Sequence, residues 1–478
     1  MRRKITMVEI ERQPLQRLHG VLDDDVYESF YRKMQNAAKT LDGRTVWNVN
    51  STAEGGGVAE MLGTLLPYAR DAGWDVRWAV ISGDDEFFDI TKGIHNALHG
   101  SPPSDDIWDR AGEVYARVTK TNANQLSRHI HAGDVMLIHD PQTAGLIDSL
   151  TKAGAATSWQ CHIGTDEANE WTRRAWDFLR PYVEPADRYV FTREDYLWEG
   201  LDPARLRIIP PSIDVLSAKN APMDGDSIEA ILRAAAVLDG QAVPAEFVRP
   251  DGVVGFVTNH VNRVGGDAPL PSDARMVLQV SRWDRLKDPI GLLRMFADHF
   301  NERRDVHLVY AGPSTNNVND DPEGKAVLDA ATEVWRSLEP AVQQRVHLLE
   351  VPMKDVDENA AIINALQRRA DVVVQKSLEE GFGLTVAEAM WKGRPVVAGR
   401  VGGIQDQIEH ERSGILIDDP YDVAGFASAV CRLLDDPEKA KEFGVEAHRR
   451  VRERFLGPRQ LSQYADLMVE LTRAARAA

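Results

Sequence analysis

The sequence predicts an α/β fold with two doubly wound domains, and two observations support that prediction. The chain has 478 residues, which is too many for one ordinary core and enough for two domains of about two hundred residues each. Apolar runs alternate with helical patterns through both halves, which is typical of parallel sheets with helices on both faces. The predicted strands are 45–51, 74–81, 134–140, 157–163, 188–192 and 206–209 in the first half, and 276–282, 306–312, 346–351, 371–377 and 395–399 in the second.

The domain boundary is predicted at the consecutive prolines 210–211, because proline ends a strand and favours an extended connection. We therefore assign residues 1–212 to an N-terminal domain and residues 275–456 to a C-terminal domain. Residues 213–274 are predicted to be a linker and irregular segment that contains one helix at 227–238. Ligands of such sheets bind at the carboxyl ends of the strands, so the candidate motifs are sought there.

A last helix is predicted at 459–476. Leu461, Tyr464, Met468 and Leu471 recur there at helical spacing, and such a stripe normally packs against a core. Packing is therefore the expected role of these four side chains.

Composition excludes several classes of protein. The formal net charge of -18 argues against a general nucleic-acid binder, which needs a basic face. Only two cysteines, Cys161 and Cys431, are present, without metal-ligand spacing, which suits a reducing compartment. Glu9 and Glu11 interrupt the N-terminal segment, and no apolar run reaches the length of a membrane span. We expect a cytoplasmic protein without membrane or nucleic-acid partners.

The most informative motif is 377–390, where a strand-like run leads through a glycine elbow into a helical pattern. Such an elbow leaves backbone N–H groups at the positive end of a helix, which suits a phosphate. Glu380 in the loop and Glu388 on the helix can accept hydrogen bonds from neighbouring sugar hydroxyls. The alternative is a solvated Glu380 and a Glu388 that only complements the helix dipole. The motif predicts a nucleotide-sugar site, and the other residues predicted to bind the donor are Gly381, Phe382, Gly383, Leu384 and Thr385.

Two features of the first half could contact the same class of ligand. Gly55, Gly56 and Gly57 lie between a predicted strand and a predicted helix, where glycine lets the backbone approach a phosphate or sugar closely. Many doubly wound folds carry such a loop for packing alone. His162 ends the predicted strand 157–163, where a histidine is either a structural residue or a sugar-binding one.

The chain resembles the retaining glycosyltransferases of family 4 on two motifs. Glu380 and Glu388 have the spacing of the family signature, and the strand-like run 277–288 ends in Arg282 and Lys287. The resemblance implies that Glu380 faces the donor sugar and Glu388 holds the ribose. It implies that Arg282 and Lys287 grip the donor diphosphate, where fixed cations stabilise the departing charge. Together with a sugar-binding His162, these are the predicted catalytic residues.

A narrower resemblance points to the glycosyltransferring trehalose synthases. It rests on the segments 47–57, 137–142, 320–324 and 375–377. It implies a reversible transfer of glucose from ADP-, UDP- or GDP-glucose to free glucose, forming trehalose. The acceptor-binding residues that it implies are Asn50, Asp140 and Gln142.

The same resemblance implies a GT-B fold. In that fold two Rossmann-like domains face a central cleft, and here a C-terminal helix at about 457–478 would pack back on the first domain. Retention is expected through front-face attack, because no carboxylate nucleophile is securely nominated. No metal site is predicted and no cofactor is required, although magnesium stimulation is left open. The expected partners are nucleotide sugar, glucose and trehalose, with a homodimer left open.

Three alternatives remain at this stage. A trehalose phosphorylase-like enzyme would use inorganic phosphate in place of the nucleotide, and Glu388 would then have no ribose to bind. A family 4 glycosyltransferase could use another acceptor. A non-catalytic sugar-nucleotide sensor could keep the fold, although the intact Arg282, Lys287, Glu380 and His162 argue against it.

Overall fold

The computed structural model describes residues 4–54, 56–103, 107–266, 268–315 and 322–477. The chain divides into two compact units. The first consists of Met1–Ser212 with Gly457–Ala478, and the second is Ile213–Leu456. Gly55 and residues 320–321, which the sequence analysis used, lie outside the described residues.

The first unit alternates strands and helices around a sheet whose central strands are buried on both faces. Its elements are β1 (Thr6–Val8), α1 (Asp24–Thr40), β2 (Thr45–Asn50), α2 (Gly57–Asp71), β3 (Asp75–Val80), α3 (Asp85–Leu98), α4 (Trp108–Leu126), β4 (Val135–His139), α5 (Asp140–Thr143), α6 (Ile147–Lys152), β5 (Ala156–Cys161), α7 (Glu170–Val183), β6 (Arg188–Phe191) and β7 (Leu206–Ile208). In the described part of the chain the strand order is β1-β3-β2-β4-β5-β6-β7. All neighbours pair parallel except β1, which runs antiparallel to β3. The carboxyl ends of β2, β4 and β5 therefore meet at one edge of the sheet.

The second unit repeats this architecture. Its elements are α8 (Gly225–Ala234), β8 (Glu246–Val248), β9 (Val254–Phe256), β10 (Asn262–Gly265), β11 (Arg275–Val280), α9 (Pro289–His299), β12 (Val306–Pro313), α10 (Pro322–Ser337), α11 (Pro340–Gln343), β13 (Val346–Val351), α12 (Val356–Arg369), β14 (Val372–Gln375), α13 (Leu384–Trp391), β15 (Val396–Gly399), α14 (Ile404–Gln407), β16 (Ile415–Ile417), α15 (Val423–Asp435) and α16 (Pro437–Arg454). Over the described residues, the sheet order is β10-β13-β12-β11-β14-β15-β16, and β8 and β9 form a separate hairpin.

The last helix, α17 (Gly457–Ala477), belongs to the first unit. It contacts α1, α2 and β5. Leu461, Tyr464, Met468 and Leu471 are all buried, which confirms the apolar stripe predicted for this helix.

Every strand predicted from the sequence is present, and the predicted α/β class with two parallel-sheet domains is confirmed. Residues 213–274, predicted to be a linker and irregular segment, lie in the second unit. They supply β10, which pairs antiparallel with β13, and α8, which packs on α12. The sequence pattern did not predict the short strands β8, β9 and β10, because three or four partly exposed residues carry little hydrophobic periodicity.

Across the described ranges, every helix is too short or too polar to cross a bilayer.

Candidate active site

In the second unit, the parallel pairing of β11 with β14 brings two predicted residues into contact. The strands pair at Val277 and Val372, so the loops after their carboxyl ends are neighbours. Lys287 follows β11 and Glu380 follows β14, and Lys287 Nζ lies 2.5 Å from Glu380 Oε2. Each side chain is only 14% exposed. Ser377 Oγ donates a second, longer hydrogen bond of 3.3 Å to the same carboxylate oxygen.

Buried amide side chains hold the loop after β11. Gln279 Nε2 donates to the carbonyl of Lys287 at 2.8 Å, and Gln279 Oε1 accepts from the backbone N–H of Lys376 at 3.0 Å. Leu378 N–H donates to the carbonyl of Leu286 at 2.7 Å. These bonds link the two loops, and the Gln279 side chain that makes two of them is fully buried, so they fix the position from which Lys287 reaches Glu380.

The loop after β14 is braced in the same way. Gln375 Nε2 donates to Ser281 Oγ at 3.0 Å and to Ser377 Oγ at 2.9 Å. Gln375 Oε1 accepts from Thr385 Oγ1 at 3.1 Å. Thr385, a predicted donor-binding residue, therefore ties the start of α13 to the end of β14.

A second ion pair lies behind the first. Lys376 is 1% exposed, and its Nζ contacts Asp288 Oδ2 and the carbonyl of Pro420. Asp288 has a left-handed backbone with φ of 46°, and its Oδ1 caps α9 by accepting from Gly291 N–H at 2.9 Å. Asp288 directly follows Lys287, so this buried pair holds the turn that presents Lys287.

Arg282 is placed differently from Lys287. Its side chain is 64% exposed and pairs with Asp284 Oδ2 at 3.1 Å, while its carbonyl accepts from Tyr310 OH at 2.8 Å. The structure thus brings Lys287 and Glu380 together and leaves the Arg282 guanidinium at the surface beside Asp284.

The glycine elbow has the backbone that the sequence predicts. Gly383 is the residue before α13 and has a left-handed φ of 85°, and among the residues that the structure describes no side chain caps this helix end. Gln407 Nε2 donates to the carbonyl of Phe382 at 2.5 Å, and Gly403 N–H donates to the carbonyl of Gly381 at 3.2 Å. The elbow is therefore held through its carbonyls, while the first turn of α13, which starts at Leu384, is available to an anion.

Glu388 is buried inside the second unit, with 2% exposure. Its Oε1 lies 3.2 Å from Lys219 Nζ, and its Oε2 is a buried atom with no hydrogen-bond partner in the described part of the chain. The nearby Lys392 Nζ donates to Asn220 Oδ1 at 2.9 Å and to the carbonyl of Glu388 at 3.2 Å. Burial lowers the pKa of Lys392 to about 7, against the attraction of Glu388.

Two predicted residues of the first unit, Gly56 and Asn50, shape the loop that follows β2. Gly56 has a φ of 87° and precedes α2, which begins at Gly57, so this part of the loop needs glycine at position 56. Asn50 has both amide atoms engaged, because Nδ2 donates to the carbonyl of Thr52 at 2.6 Å and Oδ1 accepts from Trp78 Nε1 at 2.8 Å. Asn50 therefore shapes the loop from within, and a ligand would have to displace one of these bonds.

His162 lies against a second histidine at the carboxyl ends of β4 and β5. His139 Nδ1 is 3.1 Å from His162 Nε2, and the rings stack with centroids 5.4 Å apart. His139 Nε2 is 3.3 Å from Asn48 Oδ1. His139 and Asn48 were not predicted from the sequence as site residues, although polar residues inside otherwise apolar strands are a usable signal.

Asp140 organises the backbone beside this pair. It has a left-handed φ of 62°, and its Oδ1 accepts from the His162 backbone N–H at 3.0 Å. Burial lowers the pKa of His162, while the Asp140 carboxylate opposes that shift. Burial lowers the pKa of His139 well below its ordinary value and raises the pKa of Asp140.

Gln142, the third residue predicted for the acceptor, lies in the short helix α5. Its Oε1 is buried without a hydrogen-bond partner among the residues that the structure describes. A buried amide oxygen left unpaired is unfavourable, so Gln142 has an acceptor to offer to a hydroxyl.

Metal-binding clusters of three or more His, Cys, Asp or Glu side chains are absent from the described residues.

Comparisons with known proteins point to one family. A model described as the trehalose synthase N-terminal domain matches residues 48–198, and one described as glycosyl transferases group 1 matches residues 266–450. The chain is 37% identical to a trehalose synthase of Rubrobacter xylanophilus over 93% of this chain and 95% of that protein. It is 34% identical to a trehalose synthase of Pyrococcus horikoshii over 92% and 93%.

More distant matches fit the same fold. A trehalose phosphorylase of Pleurotus sajor-caju is 27% identical over 77% of this chain and 50% of that protein. A solved E. coli structure, described as trehalose-6-phosphate bound with UDP-2-fluoro glucose, superposes with a TM-score of 0.66 at 14% identity. That superposition covers 89% of this chain and 99% of the E. coli chain, so the overall fold is shared.

Proposed function

The chain belongs to the trehalose synthase family of glycosyltransferases, and from that premise we propose that it transfers glucose from a nucleotide diphosphate glucose to free glucose. The product is trehalose, formed reversibly with retention at the anomeric carbon. The observation that carries the proposal is the contact of Lys287 with Glu380 at adjacent strand ends, 2.5 Å apart. This pair combines a cation for a diphosphate with a carboxylate for sugar hydroxyls.

The donor is proposed to bind in the second unit. Lys287, together with Arg282, stabilises the negative charge that grows on the diphosphate as the glycosidic bond breaks. The elbow of Gly381, Phe382 and Gly383 leads to the uncapped N-terminus of α13, which favours a phosphate. Glu380 accepts hydrogen bonds from the donor sugar.

Glu388 is proposed to hold the ribose. Its buried Oε2 lacks a partner among the described residues, and a ribose hydroxyl would supply the missing donor. This role requires a nucleotide, so it separates a nucleotide-sugar enzyme from one that uses inorganic phosphate.

The first unit is proposed to contribute sugar-binding residues. His162 contacts a sugar hydroxyl through its ring. Asp140 and Gln142 are proposed to contact the acceptor, with the unpartnered Oε1 of Gln142 as the hydrogen-bond acceptor. Asn50 and the turn at Gly56 shape the neighbouring loop.

Retention is proposed to proceed by front-face attack. The acceptor hydroxyl enters on the face that the diphosphate leaves, and a diphosphate oxygen takes its proton. The cations of Arg282 and Lys287 can neutralise the leaving group, so the reaction is proposed to need no metal ion. Magnesium would then stimulate at most.

A trehalose phosphorylase-like reaction is the second candidate, and the similarity to the Pleurotus protein favours it. That similarity is lower and spans only half of the fungal protein. In this reaction inorganic phosphate would occupy the place of the nucleotide, and Glu388 would bind no ribose.

The test uses the purified full chain, glucose and, in separate reactions, ADP-, UDP- and GDP-glucose, with and without EDTA. We expect a non-reducing disaccharide and one nucleotide diphosphate per disaccharide, both unaffected by EDTA. A Glu380→Gln variant prepared in parallel shows that the activity belongs to this chain. Glucose 1-phosphate formed from trehalose and phosphate, with no product from any nucleotide sugar, would replace the proposal by the phosphorylase reaction.

A further inference from the structure

Three polar side chains form a chain of contacts across neighbouring strands of the first unit. Asn48 lies on β2, His139 ends β4, and His162 follows β5, and β4 pairs with both β2 and β5. Asn48 Oδ1 is 3.3 Å from His139 Nε2, and His139 Nδ1 is 3.1 Å from His162 Nε2. Asn48 and His139 are each 1% exposed, so water is not available to replace these contacts.

The order of the contacts determines where the protons lie. Burial keeps His139 neutral by lowering its pKa, and a neutral imidazole carries one N–H and one lone pair. An amide oxygen can only accept, so the N–H of His139 is on Nε2 and its Nδ1 is the acceptor. Nε2 of His162 must then carry the proton that it donates to His139. A neutral His162 is left with a lone pair on Nδ1.

We propose that Asn48 and His139 are positioning residues that hold His162 in the Nε2–H tautomer, so that His162 Nδ1 accepts a hydrogen bond from a sugar hydroxyl. The identity of the ligand as a sugar rests on the proposed function, whereas the tautomer does not. His162 thereby acts as a neutral hydrogen-bond acceptor.

The cost of the arrangement argues for a role beyond packing. Asn48 Nδ2 is buried without a hydrogen-bond partner in the described part of the chain, and an unpaired buried donor is unfavourable. An apolar side chain in place of Asn48 would avoid that cost. The protein nevertheless has Asn48 and His139 at these positions. Their contacts lead to the His162 ring, which lies at the carboxyl edge of the sheet.

The second unit contains a matched pair for comparison. His307 Nδ1 and His347 Nε2 are 3.0 Å apart, and their rings stack with centroids 5.3 Å apart. His307 lies at the amino end of β12, away from the strand ends that carry Lys287 and Glu380. A substitution of His307 therefore disturbs an equivalent stacked pair without touching the candidate active site.

The direct test is spectroscopic and needs no turnover. Full-length protein labelled with ¹⁵N-histidine is studied by long-range ¹H–¹⁵N correlation at neutral pH, and a His162→Gln variant identifies the His162 signals. We expect a single His162 tautomer with Nε2 protonated, and a mixture of tautomers in Asn48→Ala. A His307→Phe variant should keep the wild-type His162 pattern. A wild-type mixture, a protonated Nδ1, or an Asn48→Ala spectrum identical to wild type would each overturn the proposal.

Kinetics provide the second arm. Asn48→Ala and His139→Phe should each lower kcat/KM for glucosyl transfer about 10-fold or more, while the double variant loses little beyond His139→Phe because both act through one ring. His307→Phe should stay within about 2-fold of wild type, because His307 lies at the amino end of β12, away from the candidate active site. Fully additive losses in Asn48→Ala and His139→Phe would contradict a shared route through His162. Absence of any transfer in the wild type would refute the proposed function and leave the tautomer result standing.

Discussion

The two candidate regions bury different kinds of polar group, ion pairs in the second unit and uncharged histidine rings in the first. In the second unit, the strand ends carry charges in pairs: Lys287 contacts Glu380, and Lys376 contacts Asp288. In the first unit, the corresponding edge carries the stacked His139 and His162 rings, whose pKa values are both lowered by burial.

Buried charge is useful where the ligand itself is charged. A departing diphosphate gains negative charge, so fixed cations are worth their desolvation cost in the unit proposed to bind it. A sugar hydroxyl carries no charge and is matched by a neutral donor or acceptor. Removing charges one at a time from the second unit tests this explanation.

The largest effect is expected from Lys287→Met. This change removes the cation beside Glu380, and losing one preorganised charge-stabilising group costs about 3–4 kcal/mol of the barrier, or roughly 10³-fold in kcat. The matched control is Arg285→Met, which removes an exposed cation from the same turn and should leave kcat within about 2-fold. Initial rates of nucleotide diphosphate release measure both. Equal losses in the two variants would show that only the overall charge of the turn matters.

An intermediate effect is expected from Lys376→Met. The change leaves the Asp288 carboxylate without its buried cation, and Asp288 caps α9 next to Lys287. We expect about 2–3 kcal/mol of lost stability and a fall of about 10-fold in kcat. Urea unfolding and steady-state kinetics measure these quantities.

The double variant Lys376→Met with Asp288→Asn isolates the effect of the unpaired charge on stability. Asparagine keeps the oxygen that accepts from Gly291 and removes the unpaired charge, so part of the lost stability should return. A double variant less stable than the single one would contradict the view that an uncompensated charge causes the loss.

A smaller effect is expected from Lys219→Met. Lys219 contacts Glu388 Oε1 at 3.2 Å, and Glu388 is the proposed ribose ligand. Without the lysine, Glu388 is held less firmly, so KM for the nucleotide sugar should rise about 5- to 10-fold while KM for glucose stays the same. Varying each substrate in turn measures both constants. A rise in KM for glucose alone would show that Glu388 does not bind the ribose.

The strands of the two units differ in how well the sequence predicts them. Continuous apolar runs such as 372–374 predict buried parallel strands, and those strands are confirmed. The edge strands β1 and β10 were not predicted, because they are short and partly exposed. Their pairing is set by the neighbours β3 and β13, and pairing of this kind leaves no local signature.

The site was predictable as a set of residue types and not as a set of contacts. The spacing of Glu380 and Glu388 predicted a ligand site, and both that site and the roles of the two residues stay predictions. The contact of Glu380 with Lys287 depends on the register of β11 and β14, over a separation of 93 residues. His139 was passed over for a similar reason, since its contact with His162, which follows β5, is known only once the sheet order is known.

The smallest effect on catalysis is expected from Lys392→Met, whose effect appears in the pH dependence of stability. Burial lowers the pKa of Lys392 to about 7, while in the unfolded chain a lysine titrates near its ordinary value of about 10. Between these values the unfolded chain binds the additional proton, so the free energy of unfolding rises with pH, by at most about 1.4 kcal/mol per pH unit. The rise is absent below pH 7, where both states hold the proton. Lys392→Met should remove this contribution, whereas Lys441→Met, at an exposed lysine, should run parallel to wild type. Urea midpoints at pH 6 to 10 measure the difference, and parallel curves for wild type and Lys392→Met would show that the amine stays protonated beside Glu388.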